Sequence, residues 1–197
     1  LVGSEMCIRD RYNSRSLRDH LTSSKWWDFG RKQGGLFVFT PYTSSTGNDW
    51  FRGTADSIYQ NMTYLYRSNE EYVIIASSDS VYKMDYRDVL QYHIDKGADI
   101  TVVYQNMEGK DLTHFGIMQM DENKRLLGFE EKPEQAQTTS ASLGIYVISR
   151  KLLIDLLQEV VPQGGYGLVK DIIIPYSKKL NIFGYEFKGY WSSIGTG

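Results

Sequence analysis

An α/β domain, with helices packed on both faces of a mixed but mostly parallel sheet, is what this sequence predicts. Three observations carry that expectation. Helical and extended segments alternate from Tyr12 onward, the signature of helices layered on a sheet. The run Tyr72–Ala76 (YVIIA) is too continuously apolar for a half-exposed strand and suits a central one covered on both faces. The 197 residues, 41% hydrophobic and 23% charged, have the length and composition of one domain with a real core.

In chain order, residues 16–24 read as the end of a helix, and Gly34-Gly35 opens the apolar run Leu36–Phe39, a strand that Pro41 ends. Residues 42–49 (YTSSTGND) lack periodicity and read as an exposed loop of the kind that positions ligand contacts. Ala55, Ile58, Tyr59, Met62 and Leu65 recur at three- and four-residue steps, one stripe of a helix starting near Thr54. The strand Tyr72–Ala76 ends in Ser77-Ser78-Asp79-Ser80. In an open α/β sheet the carboxyl ends of central strands face the ligand crevice, so Asp79 is the first chemical candidate; a helix cap or turn former is the alternative for such an Asp.

A helix over 87–96 is closed by Gly97, and a strand over 99–104 follows. Residues 116–120 and 126–131 flank Asp121-Glu122-Asn123 as a β-hairpin. Further on come a strand over 143–148, a helix over 150–160, a helix around 168–178 flawed by the segment 172–175 with its Pro175, and a strand over 182–187.

The bulk properties exclude several classes. A net charge of -2 without a Lys/Arg cluster gives no footprint for a nucleic-acid backbone or an anionic membrane surface. The apolar runs fall far short of the ~20 residues a bilayer crossing needs. Cys7 is the only cysteine, which excludes a disulfide framework and suits a cytoplasmic location. His20, His93 and His114 share no ligand spacing, against a zinc site. Residues 1–11 (LVGSEMCIRDR) resemble adapter-derived sequence rather than native protein, which leaves 12–197 as the expected domain, truncated at both ends.

Several strings then match one family together: Trp50-Phe51-Arg52-Gly53-Thr54-Ala55-Asp56, Asp79 with Tyr82-Lys83-Met84-Asp85-Tyr86, Phe115-Gly116-Ile117-Met118, Phe129-Glu130-Glu131-Lys132-Pro133, Ser142-Leu143-Gly144-Ile145-Tyr146 and Gly189-Tyr190-Trp191. On these the chain resembles the bacterial glucose-1-phosphate adenylyltransferases, or ADP-glucose pyrophosphorylases. The resemblance implies a nucleotide-diphospho-sugar transferase fold, Rossmann-like, and a reaction joining ATP and glucose 1-phosphate into ADP-glucose and pyrophosphate. It implies a Mg²⁺ site with Asp79 as one ligand and Lys132 as the sugar-phosphate contact. Glu131, Ser142 and Tyr146 would line the glucose side, with Trp50, Arg52, Gly53 and Thr54 also in the substrate region. The bland alternatives are a solvated turn lysine at 132 and an ordinary packed aromatic at Trp50. The Gly-rich phosphate loop and the C-terminal β-helix domain of that family are expected to lie outside this sequence.

Three departures fall where the resemblance implies chemistry. Active relatives read Tyr-Trp-Arg-Asp-Val-Gly-Thr where this chain has Tyr190-Trp191-Ser192-Ser193-Ile194-Gly195-Thr196, so Ser193 stands where the second metal carboxylate belongs. Asp-Phe-Gly-Lys-Asp becomes Gly167-Leu168-Val169-Lys170-Asp171, and Ser-Gly-Asp-His becomes Ser77-Ser78-Asp79-Ser80. The strings 16–21 and 27–37 are similar to the GlgD-type subunit, which implies a regulatory, weakly catalytic or non-catalytic partner of a catalytic subunit in a mixed tetramer, acting in glycogen synthesis. An active adenylyltransferase with a rebuilt metal site and a sugar-phosphate or nucleotide sensor are the competing expectations.

Overall fold

The structure, a computed structural model, describes residues 36–39, 53–76 and 85–189, with the backbone alone described at 36–39. The helix expected at 16–24 and the loop at 42–49 lie outside those residues. The described strands are β1 (Leu36–Phe39), β2 (Tyr72–Ala76), β3 (Ile100–Asn106), β4 (Gly116–Met120), β5 (Leu126–Glu131), β6 (Ser140–Ser149) and β7 (Ile182–Glu186). The helices are α1 (Thr54–Tyr59), α2 (Met62–Arg67), α3 (Tyr86–Asp95), α4 (Arg150–Val160) and the short α5 (Ile174–Tyr176), which a π turn, Val169–Ile173, precedes.

The strands form one mixed sheet in the order β1-β2-β6-β3-β7, with the β4–β5 hairpin attached alongside β6. β1 pairs parallel with β2 and β3 with β7, while β6 lies antiparallel between β2 and β3. β1, β2, β3, β4 and β7 therefore run one way and β5 and β6 the other, so the sheet is mostly parallel in direction although β6 makes its central pairings antiparallel. Alternation along each strand sorts side chains to two faces. Val73, Ile75, Val102, Tyr146 and Ile148 enter one core with α1, α2, α4 and the π turn. Ile74, Ala76, Val103, Ile145 and Val147 enter a second core with Tyr86, Val89 and Leu90 of α3. Helices thus cover both faces, and β2 is as buried as its run of apolar residues requires.

Local chemistry explains most boundaries. Asp85 caps α3 by accepting the Arg87 N–H, and Ser149 caps α4 by accepting from Leu152. Gly97 follows α3 with φ +58°, a left-handed position that suits glycine. Arg150 donates to the carbonyls of Glu70 and Leu65 at 2.8 and 3.1 Å, tying the start of α4 to the end of α2.

Two expected helices come out differently. The stripe beginning at Thr54 is split into α1 and α2, because the Asn61 side-chain amide donates to the Ser57 carbonyl at 2.8 Å while the Asn61 N–H turns to Ile58. That local bond takes the acceptor a continuing helix would use. The segment 168–178 opens with the π turn and only then closes into α5, which has Pro175 in its first turn. In a regular α-helix the Pro175 ring would crowd the Asp171 carbonyl; the wider turn relieves that clash. Among the described residues no helix is long and apolar enough to cross a membrane.

Candidate functional site

At the carboxyl end of β2 the structure has an open cavity of about 320 Å³. Its wall comprises Gly53 and Thr54 at the start of α1, Ile75 of β2, Glu131 at the end of β5, Gly144 and Tyr146 of β6, and Gly167 to Lys170 leading into the π turn. The volume lies at the low end of the range for small-molecule sites, enough for a sugar-sized ligand. The position agrees with the rule that ligands sit beyond the carboxyl ends of strands in open α/β sheets.

The β6 wall depends on a bulge. Val103 faces Ile145 while the next residue, Tyr104, faces Ser142, so Leu143 and Gly144 are extra residues in β6. Gly144 takes φ +69°, and its N–H donates to the Ser142 hydroxyl at 3.3 Å. Tyr146, directly opposite Ile75, is buried, and burial pushes its phenol up to about 12. A hydrogen bond with the Ser142 side chain opposes that rise, and the Glu131 charge adds to it. The phenol is therefore neutral over the physiological range and offers a ligand a proton donor, not a base.

The opposite wall depends on a close approach of two backbones. The Tyr166 carbonyl accepts from the Ala55 and Asp56 N–H groups at 2.9 and 3.2 Å. A Cβ at Gly53 would stand 2.3 Å from that carbonyl oxygen, so only glycine lets α1 and the 166–167 segment meet. Gly167 brings no side chain to the cavity, and its N–H donates to the Asp171 carboxylate at 2.9 Å.

Of the residues singled out in the sequence, the structure brings Gly53, Thr54, Glu131 and Tyr146 to one cavity, with Ser142 bonded behind Tyr146. Lys132 is next to Glu131 but does not line the cavity; its N–H donates to the Phe115 carbonyl at 3.0 Å and its φ is +48°. A left-handed lysine is uncommon and turns the chain sharply as it leaves β5. Trp50, Arg52, Asp79 and Ser193 lie outside the described residues, so both positions of the expected Mg²⁺ site do too. Among the described residues no group of three His, Cys, Asp or Glu side chains could hold a metal.

Sequence reasoning assigned no role to Gly144, Leu168, Val169 or Lys170, which also line the cavity. The signal was partial: Gly144 sits inside the string from Ser142 to Tyr146, and Lys170 inside Gly167-Leu168-Val169-Lys170-Asp171, but nothing local marks either as facing a cavity.

A mixed sheet covered on both faces, with a cavity at a strand's carboxyl end, is the arrangement of ligand-binding open α/β domains. Within that class the chain belongs to the nucleotidyl transferase family, whose model matches residues 3–197. It is similar to a protein named glucose-1-phosphate adenylyltransferase from Clostridium perfringens (strain SM101 / Type A), 38% identical over 195 residues that cover 96% of this chain and 50% of that relative. The chain thus spans about half the length of this curated relative.

Proposed function

We propose that this chain is the nucleotidyltransferase part of a glucose-1-phosphate adenylyltransferase subunit serving ADP-glucose and glycogen synthesis, in a regulatory role with a degenerate active site. The observation that carries this is the cavity itself. Glu131, Tyr146, Gly53 and Thr54, drawn from three separate strings, meet around it, yet the wall at Gly167 presents no carboxylate. The relative's name points the same way for substrate class.

In this reading the glucose ring of glucose 1-phosphate occupies the cavity. The Glu131 carboxylate accepts from sugar hydroxyls, and the neutral Tyr146 phenol, held by Ser142, donates to one. Lys132, beside Glu131, is the phosphate contact that the resemblance implies, although it does not line the cavity. The chemistry of the class is in-line attack of a sugar-phosphate oxygen on the α-phosphorus of ATP, with pyrophosphate leaving, and it needs positioning and charge neutralisation more than proton transfer. Mg²⁺, when bound, would supply much of that neutralisation, with Asp79 as its proposed carboxylate ligand. Ser193 offers a hydroxyl where a second carboxylate is expected, and Gly167 lacks an acceptor for the sugar. Binding without efficient turnover follows, and the proposed role is to raise the activity of a catalytic subunit in a mixed oligomer, in the cytoplasm.

The test is turnover of ATP and glucose 1-phosphate by the purified protein, alone and mixed with a catalytic subunit. Regulatory function expects little product alone and a stimulated rate in the mixture. Rates alone near those of active enzymes would overturn it. The second reading, a competent adenylyltransferase, is favoured by the 38% identity to a protein carrying that name. Under it Ser193→Asp leaves activity unchanged, whereas a large gain from Ser193→Asp supports the degenerate site.

A further inference from the structure

We propose that Lys170 is an anion-binding residue of the cavity and contacts the phosphate of the sugar phosphate. The inference rests on the sugar-phosphate reading above and deepens it. Lys170 lines the cavity and Lys132 does not, so among the described residues Lys170 is the cation on its wall. No hydrogen bond or ion pair engages it among those residues, so its charge is available to a ligand. Among the described residues the carboxylate on the wall is that of Glu131, from the end of β5, a different element.

The surroundings favour an anion at Lys170. Gly167 contributes no acidic group to the same segment, and the nearest carboxylate along the chain, Asp171, is already engaged by the Gly167 N–H. Lys170 is itself exposed, so a charge pair formed with it is screened by salt, which is why salt dependence is a readout of the contact. The π turn that begins at Val169 keeps residues 167–170 along the cavity while Ile172 and Ile173 are committed to the core. Glu131 and Lys170 thus give the cavity an acceptor for hydroxyls and a separate cation for phosphate, the two ends of a sugar phosphate.

The purified protein is titrated calorimetrically with glucose 1-phosphate and with glucose at two salt concentrations. Lys170→Met is expected to raise the Kd for glucose 1-phosphate roughly tenfold and to flatten its salt dependence, with Lys170→Arg close to wild type. Glucose affinity and the thermal midpoint are expected to stay the same. Unchanged affinity in Lys170→Met overturns the inference, as does an equal loss for glucose and glucose 1-phosphate, which marks a structural role. If Lys132→Met carries the tenfold loss and Lys170→Met none, the phosphate contact is Lys132 and the sugar-phosphate reading survives without this inference. A wild-type protein that binds no glucose 1-phosphate removes the reading itself.

Discussion

Replacing Gly53 with alanine tests how the cavity wall is built. The added Cβ would lie 2.3 Å from the Tyr166 carbonyl oxygen and 2.8 Å from its carbon. These are backbone atoms, so no side chain can swing away; one segment must move by about 0.7 Å or more to clear 3.0 Å. The same oxygen accepts from Ala55 and Asp56 at 2.9 and 3.2 Å, and a shift of that size weakens or breaks both bonds. At about 1 kcal/mol for each lost bond, with the steric displacement added, Gly53→Ala is expected to destabilise by about 2–4 kcal/mol. It should also weaken sugar-phosphate binding, because the two displaced segments supply Gly53, Thr54 and Gly167 to the wall. Urea unfolding gives the first quantity and calorimetry the second. Gly167→Ala is the control, since its Cβ would meet the Asp171 carboxylate at 3.3 Å and the Lys170 Cβ at 3.5 Å, with no backbone atom closer than 3.9 Å. A Gly53→Ala midpoint within about 0.5 kcal/mol of wild type, or one no lower than Gly167→Ala, would refute the close-approach account.

Three further outcomes follow from the same geometry. His93 is buried against Thr101, 2.7 Å from its hydroxyl, and burial lowers the imidazole from 6.5 to about 4, with the Asp99 charge partly offsetting. The unfolded chain therefore takes up the proton first, so the contribution is intact above pH 6.5 and lost as pH falls toward 4. At pH 5 the loss is about 2 kcal/mol; His93→Gln should show a shallower decline in urea stability between pH 7.5 and 5, and an equal decline would contradict the assignment. Tyr146→Phe should lower sugar-phosphate affinity several-fold with about 1 kcal/mol of stability, and wild-type binding should show no inflection from this phenol up to pH 10 because it titrates near 12; calorimetry across pH reads both. Arg150→Ala removes the two carbonyl bonds that join α4 to the end of α2 and should destabilise by about 1–3 kcal/mol in a thermal melt, with Arg150→Lys recovering only part because it lacks the guanidinium fork.

What could be seen in the sequence follows a physical division. Elements whose signals are local were legible: α4 runs from Arg150 to Val160 as expected, because Ser149 caps it and its apolar residues recur at helical spacing. β2 was legible because a strand covered on both faces leaves a continuous apolar run. Strand direction was not, since alternation of side chains is the same whichever way a neighbour runs, and the antiparallel placement of β6 between β2 and β3 is decided by tertiary packing. The break between α1 and α2 was also hidden, because Gln60 and Asn61 are compatible with a helix interior and only the Asn61 bond to Ser57 ends it. For the site, strings that carry a side chain with evident chemistry, Glu131 and Tyr146, were found. Lys170 was passed over because an exposed lysine on a helical turn looks the same whether it faces solvent or a cavity.

The β6 bulge shows why the strings of the site stay together despite an irregular strand. Side chains alternate with period two, so a single inserted residue would exchange the faces of everything beyond it. The insertion here is two residues, Leu143 and Gly144, and parity is kept. Ala141, Leu143, Ile145 and Val147 all enter the core on the α3 face, while Tyr146 and Ile148 enter the other. Ser142 and Tyr146 consequently remain on one face, close enough to hydrogen-bond, with Gly144 between them taking the left-handed turn and leaving its place in the wall free of a side chain. A larger residue there would have to adopt φ +69°, a conformation that L side chains rarely take. The spacing Ser142, Gly144, Tyr146 is thus a requirement of one folded detail: an even-numbered bulge that opens the sheet to a ligand without turning its side chains over.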